Sequence, residues 1–267
     1  MADKIIAKVF RYNPATETKP AYKTYEVPWR EWLTVLEVLR YIHQETDPIS
    51  FDWGCRIARC GTCGVQVNKQ PVLSCVTVVS PGEIQIDPLP NLRVVRDLVV
   101  DRSQVNQKLL ACKPWLERSG SLDEVPEMSD VAYQKVESLQ LCLDCLLCHS
   151  VCPVVAEKGI EKFAGPNIMM KIAMRFYDPR DEAKEERLQI AVRNGLLECT
   201  LCGMCHQVCP QGGLLTDQEP LRGIREAAYQ VAAQYDEALA RRFYKEPPID
   251  HTTIIKDLQD RAKVILS

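Results

Sequence analysis

Long apolar runs and a secretion signal are both absent from this 267-residue sequence. A helix that spans a bilayer needs roughly 18 or more apolar residues in a row. The longest candidates, residues 72–79 and 92–100, contain polar or charged side chains. The first ten residues, MADKIIAKVF, have neither an apolar core nor a small-residue cleavage site. We therefore expect no membrane span and a chain that stays where it is made, in the cytoplasm or its equivalent.

The sequence also lacks an excess of positive charge. Its 33 Lys and Arg residues are outnumbered by 36 Asp and Glu residues, which leaves a net charge of −3. Nucleic-acid-binding domains carry basic patches and a high isoelectric point, so we expect no nucleic-acid partner. Nothing in the sequence resembles a catalytic triad, a phosphate-binding loop or a carboxylate pair in a recognisable context. We therefore assign no substrate chemistry to this chain.

Cysteine, in contrast, is abundant, with thirteen residues. In a reducing compartment disulfides do not persist, and closely spaced cysteines there usually indicate a metal site. The odd number also argues against complete pairing in disulfides. Twelve of the thirteen fall into three groups of four, and each group has the spacing of an iron–sulfur ligand set.

The first cysteine group has the spacing of a plant-type 2Fe–2S cluster. Three cysteines lie in a loop with the pattern C-x4-C-x2-C, and a fourth follows at a distance. These residues are Cys55, Cys60, Cys63 and Cys75. Gly54, Gly61 and Gly64 are expected to let the backbone pass close to the cluster and direct N–H groups at sulfur. The alternative is a four-cysteine zinc site, but such sites usually pair two short C-x2-C units, so the spacing favours the cluster.

The second and third groups share the bacterial-ferredoxin spacing C-x2-C-x2-C-x3-C-P. They form the one internal repeat, CLDCLLCHSVCP at residues 142–153 and CTLCGMCHQVCP at residues 199–210. In two-cluster proteins with this spacing, the fourth cysteine of each run ligates the other cluster. That rule predicts one cluster on Cys142, Cys145, Cys148 and Cys209, and another on Cys199, Cys202, Cys205 and Cys152.

Three further residues accompany the cysteine groups without a clear place in them. Cys112 follows Leu109 and Leu110 in a helical stretch, and core packing is favoured there over a redox or ligand role. His149 and His206 each follow the third cysteine of a run. Each histidine either donates a hydrogen bond to cluster sulfur or has a simpler supporting or surface role. With no candidate for substrate chemistry, electron transfer is the function that these residues indicate.

The apolar periodicity predicts an α+β arrangement in two parts, residues 1–100 and residues 101–267. The first part contains a helix capped by Thr34 and Glu37 and a hairpin around Asn68 and Lys69. The predicted strands of the first part cover residues 5–12, 24–27, 65–67, 72–75 and 84–86. The predicted helices of the second part cover residues 97–110, 131–139, 168–177, 184–197 and 220–244, with a further amphipathic helix at 251–267.

At this point the sequence resembles the iron–sulfur subunit of the succinate dehydrogenase and fumarate reductase (complex II) family. The resemblance rests on DWGCRIARCGTCG with Cys75, on PLPNLRVVRDLVVD, and on the two cysteine runs in that order. It implies a plant-ferredoxin-like β-grasp domain at residues 1–100 and an α-helical ferredoxin domain at residues 101–267. It also implies a FAD-containing flavoprotein partner that performs the succinate–fumarate chemistry. A membrane anchor that exchanges electrons with a quinone, and a peripheral position on the cytoplasmic side of the membrane, follow as well.

Two features depart from the pattern of that family. Most members lack a cysteine at the position of Cys202 and hold a 3Fe–4S cluster there, whereas this chain has a fourth ligand for a 4Fe–4S cluster. A 3Fe–4S cluster is the alternative if Cys202 points away. Many quinone-linked members have Trp and His where this chain has Glu157 and Thr200. The leading alternative for the electron partner is a quinone, with menaquinone favoured. The second alternative is a thiol pair or a soluble carrier. In the third alternative, the chain is a free-standing multi-cluster ferredoxin or a structural metal protein.

Overall fold

Alternating apolar residues form a mixed five-stranded sheet in the computed structural model, which describes residues 4–121, 123–212 and 219–235. The strands are β1 (Lys4–Arg11), β2 (Ala21–Pro28), β3 (Gly64–Val67), β4 (Gln70–Leu73) and β5 (Gly82–Asp87). Their order across the sheet is β2-β1-β5-β3-β4. Strands β1 and β5 are parallel, and the other neighbouring pairs are antiparallel. The predicted strands are thus present, and β2 and β5 extend beyond their predicted bounds at both ends.

One helix packs on this sheet and shares its core. Helix α1 (Val35–Glu45) begins with the predicted capping box, in which the Thr34 hydroxyl accepts from the Glu37 N–H and the Glu37 carboxylate accepts from the Thr34 N–H. Its apolar face is buried with the apolar residues of β1, β2, β3 and β5 in one cluster. Burial of these side chains is the main driving force for this part of the fold.

The predicted hairpin between β3 and β4 is present, but its second strand lies two residues earlier than expected. Asn68 and Lys69 have positive φ angles of 48° and 68°, which suits the tight turn of a two-residue hairpin. The Ser74 N–H extends the pairing of this hairpin by donating to the Cys63 carbonyl at 3.1 Å. Strand β4 then ends in a turn in which the Val76 N–H donates to the Leu73 carbonyl at 3.2 Å. This turn brings the chain back toward the first cysteine loop.

A small hairpin lies where the sequence predicted the start of a helix at residue 97. It consists of β6 (Val94–Arg96) and β7 (Val99–Val100), and the helix begins only at Ser103. Asp97 occupies the turn with φ of 47°, and its carboxylate accepts from Arg11 Nε at 3.0 Å and from the Ser50 N–H at 2.9 Å. The helical prediction for residues 97–102 is wrong because these distant partners hold Asp97 in a turn.

The rest of the described chain is helical. Its helices are α2 (Ser103–Ala111), α3 (Asp130–Gln140), α4 (Leu147–Ser150), α5 (Pro153–Lys158), α6 (Pro166–Tyr177), α7 (Lys184–Arg193), α8 (Met204–Gln207) and α9 (Glu219–Tyr235), with a 3-10 turn at Leu196–Glu198. None of the helices in these described ranges is long and apolar enough to cross a membrane. The chain divides into two units, Met1–Ile224 and Arg225–Ser267. Every cysteine lies in the first.

Two predicted helices have different ends in the structure. Helix α7 stops at Arg193, not at residue 197, because Gly195 adopts a left-handed conformation with φ of 85°. A Cβ at Gly195 would overlap the Lys162 carbonyl oxygen, so this close approach needs glycine. Helix α9 covers the first part of the predicted 220–244 helix. The remainder of that prediction, and the predicted helix at 251–267, lie outside the described residues.

A buried ion pair fixes the segment after α2 to α7. Arg187 is fully buried, and its Nη2 lies 2.7 Å from Asp181 Oδ2. The same guanidinium donates to the carbonyls of Lys113 at 2.6 Å and Trp115 at 2.9 Å. Because a buried charge is stable only when it is paired and hydrogen-bonded, these contacts hold the non-helical segment in one place against the helical core.

Candidate iron–sulfur sites

The loop of the first cysteine group directs backbone N–H groups at sulfur. The N–H groups of Arg59 and Cys60 lie 3.1 Å and 3.2 Å from Cys55 Sγ. Arg56 and Ala58 have positive φ angles of 62° and 53°. When left-handed residues alternate with other residues in this way, the backbone N–H groups point into one concavity. Such a concavity of N–H groups binds anions. The loop is therefore shaped to surround thiolate sulfur, as its spacing predicts.

The thiols of this group fall into two electrostatic environments. The Cys55 N–H, followed by the Thr62 side chain, lowers the pKa of Cys60 to about 6. Burial raises the pKa of Cys75 to about 11, and this thiol interacts electrostatically with Cys63 and Cys55. The distal fourth cysteine thus returns to the loop. A thiol that burial keeps protonated becomes a thiolate ligand when metal cations offset the cost of its charge, so this donor set fits an iron–sulfur cluster.

Only one of the three predicted loop glycines packs against a thiol. A Cβ at Gly54 would lie 3.2 Å from Cys60 Sγ. At Gly61, where φ is 69°, an added Cβ would instead overlap the Leu143 carbonyl oxygen. At Gly64 it would lie 2.9 Å from Leu89 Cδ1. Gly61 and Gly64 thus also make room for neighbouring segments, and the expectation that all three glycines serve the cluster stays a prediction.

The two cysteine runs have the same backbone conformation, as their sequence repeat predicts. In the first run Asp144 and Leu146 have φ angles of 51° and 65°, and a four-residue helix, α4, follows. In the second run Leu201 and Gly203, at the same repeat positions, have φ angles of 56° and 77° before the four-residue helix α8. A left-handed non-glycine residue costs about 1–2 kcal/mol. Such strain is concentrated at functional sites, and here it lies between successive ligand candidates.

The last cysteine of each run lies close to the thiols of the other run. Helices α4 and α8 pack against each other, which brings the runs together. Electrostatic interactions join Cys209 to Cys142, Cys145 and Cys148, and join Cys205 to Cys199, Cys202 and Cys152. Cys148 also interacts with Cys205, as expected for neighbouring sites. The grouping is the one that the ferredoxin rule predicts, and the ligand assignment itself stays a prediction.

Burial raises the pKa of most thiols in these groups. The pKa of Cys145 is about 11 and that of Cys205 about 12, with burial as the main cause in both. All thirteen cysteines lie within the described residues, and none of them forms a disulfide. Within the described ranges, no three His, Cys, Asp or Glu side chains are arranged to hold one metal ion. Thiolates around a cubane bind different irons and need not converge on one point, so the donor set fits clusters.

Cys202 is the exposed member of its group. Its thiol nevertheless interacts electrostatically with Cys152 and Cys205. It therefore lies among the predicted ligands of the third cluster.

The three accompanying residues are mostly buried. Cys112 is 1% exposed at the end of α2, as core packing predicts, and burial raises its pKa to about 11. His149 is buried, which rules out a surface role, and burial lowers its pKa to about 4, so its ring is neutral at neutral pH. The Nδ1 atoms of His149 and His206 are buried without a hydrogen-bond partner among the described residues, and donation from either histidine to cluster sulfide stays a prediction.

Two residues outside the cysteine motifs also contact the sites. Asn91, in the segment PLPNLRVVRDLVVD, donates from Nδ2 to the carbonyls of His149, Ser150 and Cys152 at 3.3, 2.9 and 3.3 Å. Arg102, directly after that segment, donates to carbonyls of the first loop and of the first run. The only sequence signal for either residue is its place in or beside the segment that joins the two halves.

Comparison with known families identifies the class of protein. The 2Fe-2S iron-sulfur cluster binding domain family matches residues 6–107, and the 4Fe-4S dicluster domain family matches residues 138–213. The chain is thus an iron–sulfur protein with a 2Fe–2S domain and a 4Fe–4S dicluster domain. These matches confirm the predicted 2Fe–2S and 4Fe–4S clusters, and the choice between 4Fe–4S and 3Fe–4S at the third site stays a prediction.

Curated relatives and a solved structure narrow this class. The fumarate reductase iron-sulfur subunit of Mycobacterium tuberculosis is 38% identical over 226 residues, which cover 79% of this chain and 88% of the relative. That of Haemophilus influenzae is 32% identical, with 85% of this chain and 93% of the relative covered. A chain of the Mycobacterium smegmatis Sdh1 complex in the apo form matches with a TM-score of 0.76 at 26% identity, covering 88% of this chain and 98% of that chain.

The chain belongs to the family of iron–sulfur subunits of fumarate reductase and succinate dehydrogenase. A further relative, from the fumarate reductase (CoM/CoB) of Methanothermobacter marburgensis, is 36% identical over 208 residues. These residues cover 78% of this chain but only 41% of that relative. The mixed sheet followed by a helical part agrees with the match to the Sdh1 complex.

Proposed function

We propose that this chain relays electrons through three clusters in series, between a FAD-containing flavoprotein and a membrane quinone site. The observation that carries the proposal is the division of twelve cysteines into three neighbouring groups, two of which combine thiols from both runs. The loop of the first group lies directly against the first run, where Gly61 meets the Leu143 carbonyl. Contact of this kind gives an electron a short route between sites.

The proposed ligands follow the three groups. Cys55, Cys60, Cys63 and Cys75 hold the 2Fe–2S cluster; Cys142, Cys145, Cys148 and Cys209 hold one 4Fe–4S cluster; Cys152, Cys199, Cys202 and Cys205 hold the other. The position of Cys202 beside Cys152 and Cys205 supports a 4Fe–4S cluster over a 3Fe–4S cluster at the third site.

The chain's own groups adjust the electronic properties of these sites. Bound clusters supply one-electron oxidation and reduction. The N–H groups of Arg59 and Cys60 stabilise added negative charge on Cys55 sulfur through hydrogen bonds. The buried ligand candidate Cys145 keeps water away from the second site, which lowers the local dielectric and strengthens these interactions.

The two parts of the chain correspond, in this proposal, to a plant-ferredoxin-like β-grasp domain at residues 1–100 and an α-helical ferredoxin domain at residues 101–267. The mixed sheet with α1 packed on it supports the first assignment. The succession of helices from α2 onward supports the second.

The proposed partners come from the relatives. A flavoprotein with FAD performs the succinate–fumarate chemistry, and an anchor holds the complex on the cytoplasmic side of the membrane, where menaquinone exchanges electrons with the third cluster. The fumarate reductase subunits among the relatives and the Sdh1 complex support this assembly. Menaquinone is favoured because a 4Fe–4S cluster is expected to have a lower potential than a 3Fe–4S cluster at this site.

A second candidate is a fumarate reductase whose iron–sulfur subunit takes electrons from a thiol pair or a soluble carrier. The observation that favours it is the pair Glu157 and Thr200, both exposed, at positions where quinone-linked members often have Trp and His. A relative whose name carries CoM/CoB adds support. A free-standing ferredoxin is the third candidate, and it predicts purification without a flavoprotein.

Anaerobic purification tests these proposals together. Twelve thiolate ligands predict about ten irons per chain, with matching acid-labile sulfide. The leading proposal predicts that a flavoprotein co-purifies and that the complex oxidises a menaquinol analogue with fumarate as acceptor. Oxidation of a thiol pair in place of the quinol would favour the second candidate, and substantial zinc with little iron would refute the cluster assignment.

A further inference from the structure

We propose that Arg102 is a positioning residue for electron transfer between the first two cluster sites. Its guanidinium ties the first cysteine loop to the first cysteine run and places a positive charge between them. This inference rests on the proposed function, because it takes these two groups as the ligands of the 2Fe–2S cluster and of the first 4Fe–4S cluster.

Three hydrogen bonds carry the inference. Arg102 Nη2 donates to the Gly61 carbonyl at 3.3 Å and to the Thr62 carbonyl at 3.2 Å. Arg102 Nη1 donates to the Asp144 carbonyl at 3.2 Å. One planar group therefore joins two loops that lie far apart in the sequence. A guanidinium suits this task because its donors point outward in a fixed fork.

The bonded carbonyls occupy equivalent places beside ligand candidates. Thr62 directly precedes Cys63, and Asp144 directly precedes Cys145. Each bond thus holds the peptide group that leads into a ligand of a different cluster. Movement of Arg102 would change the position of one ligand relative to the other.

The two loops also touch directly beside this bridge. A Cβ at Gly61 would overlap the Leu143 carbonyl oxygen and would lie 3.1 Å from the Cys145 Cα. No side chain fits between the backbones at this point. Arg102 donates to the carbonyls next to this contact. Its own backbone position is defined because Arg102 directly precedes α2.

The charge of Arg102 acts on both sites. Arginine stays protonated in proteins, and this side chain is half-buried, so water and salt screen its charge incompletely. Among the described residues the guanidinium bonds carbonyls and forms no ion pair with a carboxylate. In contrast to Arg102, nearby Lys171 is paired with a carboxylate, because its ammonium lies 3.0 Å from Asp144 Oδ2. The charge of Arg102 also interacts with the Cys145 thiol.

A positive charge between two clusters favours their reduced forms. Reduction adds one electron and one negative charge to a cluster, and net charge is among the determinants of its potential. One electron leaves one cluster and enters the other, with no bond formed or broken. Arg102 should therefore raise the potentials of both clusters, while its hydrogen bonds keep the two ligand loops at a fixed separation for electron transfer.

Redox-titrated EPR of the cluster-loaded full chain, purified anaerobically with any partner that accompanies it, tests the proposal. In Arg102→Gln we expect the reduction equilibrium constants of the first two clusters to fall about tenfold, which corresponds to about 59 mV for a one-electron couple. The third cluster should keep its potential. Arg102→Lys, which retains the charge, should stay within about twofold of the wild type. Arg96→Gln is the matched control, because it removes an exposed charge six residues earlier and should change no potential.

The outcomes separate this inference from the proposed function. Wild-type chain without iron and sulfide would refute the proposed function. Intact wild-type clusters with unchanged potentials in Arg102→Gln, or an equal shift of all three clusters, would overturn only the role of Arg102. If Arg102→Gln assembles no clusters, the test depends on Arg102→Lys. Full cluster assembly with near-wild-type potentials in Arg102→Lys supports the proposal. Loss of the clusters in Arg102→Lys as well overturns the proposal and shows that Arg102 serves only the packing of the chain.

Discussion

Cys202 combines exposure with a place among buried thiols. It is the one exposed cysteine of the chain, yet it interacts with Cys152 and Cys205. A cubane corner without a thiolate tends to lose its iron, which leaves a 3Fe–4S cluster. At the scale of single residues, we therefore expect the Cys202 thiol to supply this ligand and to determine which cluster the third site holds.

Replacement of Cys202 by serine should convert the third cluster. The oxidised native protein should lack the near-isotropic EPR signal of a 3Fe–4S cluster, because an oxidised low-potential 4Fe–4S cluster is silent. Oxidised Cys202→Ser should show that signal, and its iron content should fall by about one per chain. Cys112→Ser is the control, since Cys112 is buried and belongs to no group, and it should keep all its iron. A strong signal in the oxidised native protein that Cys202→Ser leaves unchanged would contradict the assignment.

At the scale of elements, the contact between the first loop and the first run depends on a glycine. Gly61 has φ of 69°, and the Leu143 carbonyl fills the space that a side chain would need. Gly159, at the end of α5, has a similar φ of 76° but no atom within 4 Å of an added Cβ. Gly61 and Gly159 thus both have a positive φ angle, but only Gly61 lies against another segment of the chain.

Alanine at these two glycines should therefore have different effects. Both substitutions should cost about 1–2 kcal/mol for the left-handed conformation. Gly61→Ala should cost more, because the loops must separate, and it should weaken the first two clusters. The measurement is the thermal midpoint for loss of cluster absorbance, with iron content at room temperature. Equal midpoints for Gly61→Ala and Gly159→Ala would show that the loop contact contributes nothing.

The short helices α4 and α8 bring the two runs together, and we therefore expect crossed ligation. Cys209→Ser should damage the cluster held mainly by residues 142–148, whereas Cys152→Ser should damage the cluster held mainly by residues 199–205. EPR of the reduced variants distinguishes the two clusters by their potentials. If each substitution affects only the cluster of its own run, crossed ligation is wrong here.

At the scale of the whole molecule, the sequence pattern assigns electron transfer to this chain and offers no recognisable acid–base pair for substrate chemistry. We therefore expect the chemistry on succinate or fumarate to take place on the partner flavoprotein. The purified chain, free of flavoprotein, should neither reduce fumarate nor oxidise succinate. Addition of the flavoprotein should restore turnover. Turnover by a preparation shown to contain no flavin would refute this prediction.

The sequence by itself determined the features whose partners lie close along the chain. The three cysteine groups, the Thr34–Glu37 capping box and the turn at Asn68–Lys69 each depend on residues a few positions apart. Local geometry is enough to specify such features, because a cap needs a partner three residues on and a cluster loop needs three closely spaced thiols. The cluster types and the protein family followed from these local patterns.

Only the tertiary structure decided the features that join distant segments. The turn at Asp97 depends on Arg11, 86 residues earlier in the chain, and periodicity alone predicted a helix there. The need for glycine at Gly61 depends on Leu143, and the bridge made by Arg102 depends on carbonyls about forty residues away on either side. A spacing pattern carries no information about such partners, because the packing of the sheet part on the helical part brings them together.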